Sequence, residues 1–157
     1  MEGSARENER RACTVDFLAY LAGTWASSRA GAEATRFGRK RVLLVSVAIM
    51  VTGVAITLSD NVIVVLVGLV VATAGFFGAH SIASGWTGQS APVGKAQASS
   101  LYNLFYYGGS SVIGWLGGVA FDRYGWTAVA TTILTLAIAA AAIAALVLPK
   151  DSATARP

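Results

Sequence analysis

The chain has 157 residues, 55% of them hydrophobic and only 13% charged, with a mean hydropathy of +0.60. That is far too apolar for a soluble domain of this size, so an integral membrane protein is expected. The 12 Lys and Arg against 8 Asp and Glu leave +4, but the excess lies beside apolar segments, where it orients a chain in a bilayer and makes no nucleic-acid surface. A single cysteine, Cys13, excludes an internal disulfide framework, and no Cys/His cluster offers metal ligands.

Met1 to Asp16 is polar, mixing Glu2, Glu7 and Glu9 with Arg6, Arg10 and Arg11, and it has no apolar periodicity to bury. It reads as a disordered or loosely surface-bound segment. Residues 17–34 form a weak first span, with twelve uncharged positions between Asp16 and Arg29. Two other readings of this stretch stand beside it. One is an interfacial helix, which would let the N-terminal arginines stay inside. The other is a cleaved signal peptide, which the basic cluster just downstream opposes.

That cluster is Arg36, Arg39, Lys40 and Arg41, four cations in six residues between two apolar segments. Basic loops resist translocation, so it is placed in the cytoplasm and the remaining topology is counted from it. Residues 42–59 make a clean second span, roughly 27 Å of helix at 1.5 Å per residue. Asp60 and Asn61 mark a turn. No residue from Asn61 to Gly94 carries a fixed charge, which gives a third span over 62–86 and a polar exit through Thr87, Gly88, Gln89 and Ser90. Residues 96–121 form a fourth span rich in glycine and aromatics. Residues 126–148 form a fifth, rich in alanine and stopped by Pro149 and Lys150, with 150–157 as a cytoplasmic tail.

On this count Arg36, Arg39, Lys40, Arg41, Lys95, Lys150 and Arg156 lie inside, and Arg6, Arg10, Arg11 and Arg123 outside. The majority inside supports the orientation. Two stretches repeat a pattern. Gly31, Thr35, Arg36, Phe37 and Gly38 have the same offsets as Gly118, Asp122, Arg123, Tyr124 and Gly125. With three spans between them the two copies fall on opposite membrane faces, the mark of an inverted-topology repeat. The alternative is that glycine, arginine and an aromatic simply suit turns at an interface.

These residues resemble a known family. Gly31 to Arg41, with Gly31, Arg36, Gly38, Arg39 and Lys40 at its key positions, is similar to the cytoplasmic loop signature of the major facilitator superfamily. Gly75 to Ser81, Gly85 with Trp86, Gln97 to Tyr102, Phe105 to Ser111 and Gly114 to Gly118 resemble the C-terminal lobe of its drug and arabinose efflux branch. The resemblance covers about 17–149 and implies an all-α partial lobe corresponding to the family's helices eight to twelve. Thr35 stands where the signature carries an acid, which interrupts the charge relay that the resemblance implies. The family's first lobe and seventh helix have no counterpart, so the chain looks like a truncated or split transporter.

No arrangement argues for an enzyme: there is one histidine, no acid pair at helical spacing within a span and no activated serine or cysteine pattern. His80 is the ionisable group of the third span, with Ser84 one turn on to orient its ring. Its two readings are proton or substrate contact and a neutral, hydrogen-bonded packing residue. Tyr102, Phe105 and Tyr106, spaced i, i+3 and i+4 and flanked by Asn103 and Tyr107, give the fourth span an aromatic face. Such a face suits flat lipophilic or cationic ligands, or else core packing and lipid. Ser110, Gly114 and Gly118 form a small-residue stripe that admits a close helix. Arg29 is read with Glu33 at i+4 as a snorkelling ion pair, with an anion or proton-relay role as the alternative. The glycines at 31, 38, 118 and 125 are read as turn and helix-end residues.

The expected function is therefore a transporter fragment, without cofactor, that exports a small organic solute with proton antiport from a bacterial inner membrane. It is expected not to transport as a lone chain. Its partners would be the bilayer, solute and protons, and a missing N-terminal lobe chain or a second copy of itself. A non-transporting membrane subunit, or a degenerate remnant of a transporter, is the competing class.

Overall fold

The computed structural model describes Leu21 and residues 23–149, so the polar N-terminal segment, the start of the first predicted span and the tail lie outside the described residues. Within them the regular structure is helical: α1 (residues 23–37), α2 (Arg39–Ile56), α3 (Val62–Ser90) and α4 (Lys95–Val147). Each boundary has a local cause. Gly38, at φ 92°, separates α1 from α2 with a single non-helical residue. Asn61 caps α3, its side-chain oxygen accepting from the Ile63 N–H at 2.9 Å and the Val64 N–H at 3.4 Å. α3 stops just ahead of Pro92, and α4 just ahead of Pro149.

Three expectations change. The polar exit Thr87 to Ser90 is helical, which makes α3 29 residues, or about 44 Å, longer than a ~30 Å bilayer core. α2 starts at Arg39 and ends at Ile56, so only Val42 to Ile56 is apolar, about 23 Å of helix. The predicted fourth and fifth spans are present as two helices that follow each other within α4 and meet at a kink at Gly125 alone (φ 72°, ψ −168°). Asp122, Arg123 and Tyr124 all keep helical backbone; glycine reaches a conformation closed to other residues, and one residue suffices to redirect the chain. We call the two parts the first arm (95–124) and the second arm (126–147). Gly31 and Gly118, also read as turn residues, lie inside helices.

α2 and α3 pack closely. Gly53, Gly68, Gly75, Gly78 and Ser46 are buried between them. A Cβ at Gly53 would meet the Ala72 backbone and lie 2.8 Å from the Gly68 carbonyl oxygen; at Gly75 it would meet the Met50 backbone and lie 2.7 Å from the Ser46 carbonyl oxygen. Backbone is in contact with backbone, the small-residue approach that helices use where burial from water gives no driving force. α1 lies against α3: Ser27 Oγ donates to the Phe77 carbonyl oxygen at 3.3 Å, and a Cβ at Gly23 would come within 2.6 Å of the Phe77 ring.

Polar ties fix which helix ends share a face. Arg39 donates to the Gln89 side-chain oxygen, and Lys40 Nζ donates to the carbonyl oxygens of Ala145 at 2.8 Å and Leu148 at 2.6 Å. The start of α2 and the ends of α3 and α4 thus form one face, with Lys40 satisfying carbonyls that a helix end leaves open. At the other face Trp126 Nε1 donates to the carbonyl and hydroxyl oxygens of Thr57, both at 3.1 Å, joining the second arm to the end of α2.

Gly38 and Gly125, the matching glycines of the repeat, both take positive φ. They sit at opposite ends of α2, as an inverted repeat requires. α3 and α4 are each long and apolar enough to cross a membrane. Large apolar side chains, among them Val62, Ile63, Trp115 and Leu146, lie exposed along the helices, which in a bilayer is contact with lipid. The architecture is that of an all-α membrane protein.

Candidate functional site

His80 and Phe76 sit one turn apart on α3, and Tyr102 and Tyr106 one turn apart on α4, so each helix turns one edge toward the other. The ring centroids of His80 and Tyr106 are 4.5 Å apart, those of His80 and Tyr102 5.6 Å, and Phe76 stacks on His80 at 5.8 Å and on Tyr106 at 6.3 Å. Tyr102 Oη and His80 Nδ1 are 3.1 Å apart. With the imidazole neutral and its proton on Nε2, the phenol donates to Nδ1. His80 stands four residues, about 6 Å, from the middle of α3, deep enough that an ionisable ring is costly without such a partner.

The sequence-predicted residues divide between this cluster and open surface. His80, Tyr102 and Tyr106 come together. Ser84 does not orient the ring: its hydroxyl donates to the Ser81 carbonyl oxygen of its own helix at 3.2 Å, and Tyr102 holds the imidazole instead. Phe105 is 73% exposed and Asn103 is exposed, because α3 meets only one edge of the expected aromatic face. Phe76 was missed, although its position one turn before His80 was a usable signal.

Arg29 lies over the Trp25 ring, 5.0 Å from its centroid, and among the described residues no ion pair joins it to Glu33. Facing an aromatic ring costs the guanidinium less of its hydration than a close ion pair would. The loop signature is structural where it is described: Gly38 breaks the helix, Arg39 and Lys40 tie helix ends, and Arg36 stands over Phe37 at 5.7 Å. Ser110 donates back to the Tyr107 carbonyl oxygen, and Gly114 and Gly118 have open space where a Cβ would stand.

A second polar surface escaped the sequence reading. Tyr124, Thr127, Thr131, Thr132 and Thr135 line an open groove on the second arm. The hydroxyls of Thr131, Thr132 and Thr135 each donate to a carbonyl one turn back, at 2.7–2.8 Å. Their needs are met within the helix, so the groove is no more than weakly polar.

An all-α membrane protein with a polar aromatic cluster set between two long apolar helices defines a class, the polytopic membrane proteins. Within that class the chain belongs to the major facilitator superfamily, whose family model matches residues 12–157. It is 45% identical over 123 residues to the inner membrane transport protein YnfM of Escherichia coli, covering 78% of this chain and 30% of that protein. It is 38% identical over 124 residues to the uncharacterized MFS-type transporter YybF of Bacillus subtilis, covering 79% of this chain and 31% of the relative. An uncharacterized transporter of Buchnera aphidicola from Schizaphis graminum is 36% identical over 126 residues, 79% of this chain and 30% of the relative. The chain thus spans about a third of the length of these relatives. No solved structure matches it.

Proposed function

We propose that this chain forms one wall of a secondary active transporter in a bacterial inner membrane, exporting small organic solutes by alternating access in exchange for protons. The observation that carries this reading is the His80–Tyr102 hydrogen bond with Tyr106 and Phe76 packed around it, an ionisable ring held at membrane depth among apolar spans. Such groups are the usual stations for protons and polar solutes in a bilayer. Membership of the family and the name of the Escherichia coli relative support transport; export rests on the resemblance of Gly75 to Gly118 to the efflux branch. The orientation proposed puts Arg36 to Arg41 and the C-terminus in the cytoplasm.

On this reading the lone chain does not transport. Alternating access rocks two halves around a site held between them, and the first arm from Tyr107 to Tyr124 is exposed along almost its whole length. A complementary lobe, or a second copy seated on the Ser110, Gly114 and Gly118 stripe, would supply the missing half. A subunit or remnant without transport is favoured by the same exposure, and one experiment separates the readings.

Substitute this chain for the matching third of YnfM, and reconstitute the chimera and the lone chain in liposomes with an imposed proton gradient. Offer a panel of lipophilic cations and sugars. Saturable, gradient-dependent uptake is expected from the chimera and none from the monomeric chain. His80→Ala in the chimera should remove the dependence on the gradient while leaving insertion intact. Transport by the monomeric chain overturns the one-wall reading, and an inactive chimera that is folded in the membrane favours the remnant. Unchanged uptake by His80→Ala across pH gradients returns the cluster to packing.

A further inference from the structure

The two faces of the molecule differ in charge. One gathers Arg36, Arg39, Lys40, Arg41 and, at the start of α4, Lys95; among the described residues the acid nearest this group is Glu33, in the last turns of α1. The opposite face carries Asp60, Asp122 and Arg123. The ties Arg39 to Gln89 and Lys40 to Ala145 and Leu148 hold two cations of the first face against the ends of α3 and α4. Arg36, Arg41 and Lys95 remain exposed.

The surface below Arg41 completes the pattern. Arg41, Val45 and Ile49 follow one another at four-residue spacing on α2, and all three are exposed, Val45 at 57% and Ile49 at 42%. On a helix that spacing stacks side chains along one flank. A cation at the membrane surface therefore stands at the head of an apolar track running into the bilayer. Phe37, 55% exposed beside Arg36, and Val93, 87% exposed beside Lys95, repeat the pairing of charge with bared apolar surface.

From this arrangement we infer that the basic face is a binding site for an anionic phospholipid, whose phosphate is held by Arg36, Arg41 and Lys95 and whose acyl chain lies along Val45 and Ile49. Clustered cations against an anionic headgroup supply the complementarity, and each one near the membrane surface is worth about fivefold in affinity. Arginine suits the role, since its fork of donors matches phosphate oxygens. The site is independent of the His80 cluster and of whether the chain transports.

The test uses the full chain in lipid nanodiscs made of phosphatidylcholine with a minor fraction of phosphatidylglycerol. Lipids kept after transfer to detergent are counted by native mass spectrometry. Phosphatidylglycerol should be enriched over phosphatidylcholine on the native chain. The double variant Arg36→Gln with Arg41→Gln should lower that enrichment about 25-fold. Arg36→Lys with Arg41→Lys should keep most of it, which controls for folding, and Arg123→Gln on the opposite face should leave it unchanged. Equal retention of the two lipids by the native chain overturns the proposal, as does an equal loss in Arg123→Gln. Displacement of the lipid by millimolar inorganic phosphate alone would mark a site for free phosphate and overturn it too.

Discussion

The seam between α2 and α3 and the first arm of α4 are both rich in small residues, yet only one of them is packed. Gly53, Gly68 and Gly75 bring two backbones into contact, so that a Cβ at any of them meets main-chain atoms; Gly108, Gly109, Gly114, Gly117 and Gly118 have open space around them. Small residues permit a close approach, and whether a helix takes it up depends on the partners within reach. One part of this chain is finished. The other leaves its small residues facing open space.

The largest effect should come from filling the seam. Gly53→Leu or Gly75→Leu pushes a side chain into the opposing backbone, and overpacking of this kind costs about 1–3 kcal/mol or more. Thermal unfolding in detergent, followed by circular dichroism, should show a strong loss for either variant. Gly114→Leu should stay within about 0.5 kcal/mol of the native chain, as surface changes do. Equal losses at both places would erase the comparison.

Next come the two glycines at the ends of the second repeat. Gly125→Ala forces a side chain into the positive-φ break and should destabilise by roughly 1–3 kcal/mol. Gly118→Ala, in an open helical turn, should be neutral or stabilise by up to about 1 kcal/mol. Opposite signs in the same unfolding assay would separate a glycine that the backbone needs from one that it does not.

Smaller changes are expected where single polar ties are cut. Trp126→Phe removes the donor to Thr57 and should cost about 1 kcal/mol, seen as earlier melting and faster proteolysis near the end of α2. Tyr102→Phe leaves His80 Nδ1 without its phenol and should cost about 0.6 kcal/mol, near the average for a hydrogen bond between membrane helices. Phe105→Leu, on the exposed side of the same helix, should cost nothing measurable.

What could be read in advance follows the same division. The apolar segments, the basic turn and the matching of Gly38 with Gly125 were legible, because hydropathy and charge act on the chain locally. His80, Tyr102 and Tyr106 were legible because polar rings stand out in apolar spans. Phe76 was passed over as one more residue of an apolar run, although it stands one turn before His80. Ser84 misled because a serine in a helix can satisfy its hydroxyl on its own backbone. The Gly53 and Gly75 seam was passed over in favour of Ser110, Gly114 and Gly118: spacing reports that a helix is smooth, and says nothing of which helix lies against it.

Lys40 holds the last turn of the second arm, 105 and 108 residues further along the chain. During synthesis this lysine has emerged and met the membrane long before Ala145 and Leu148 exist. The start of α2 therefore gains these two carbonyl partners only after the second arm has been made. The second arm acts as a clasp, and its carbonyl ends engage the basic turn only once that arm has been made.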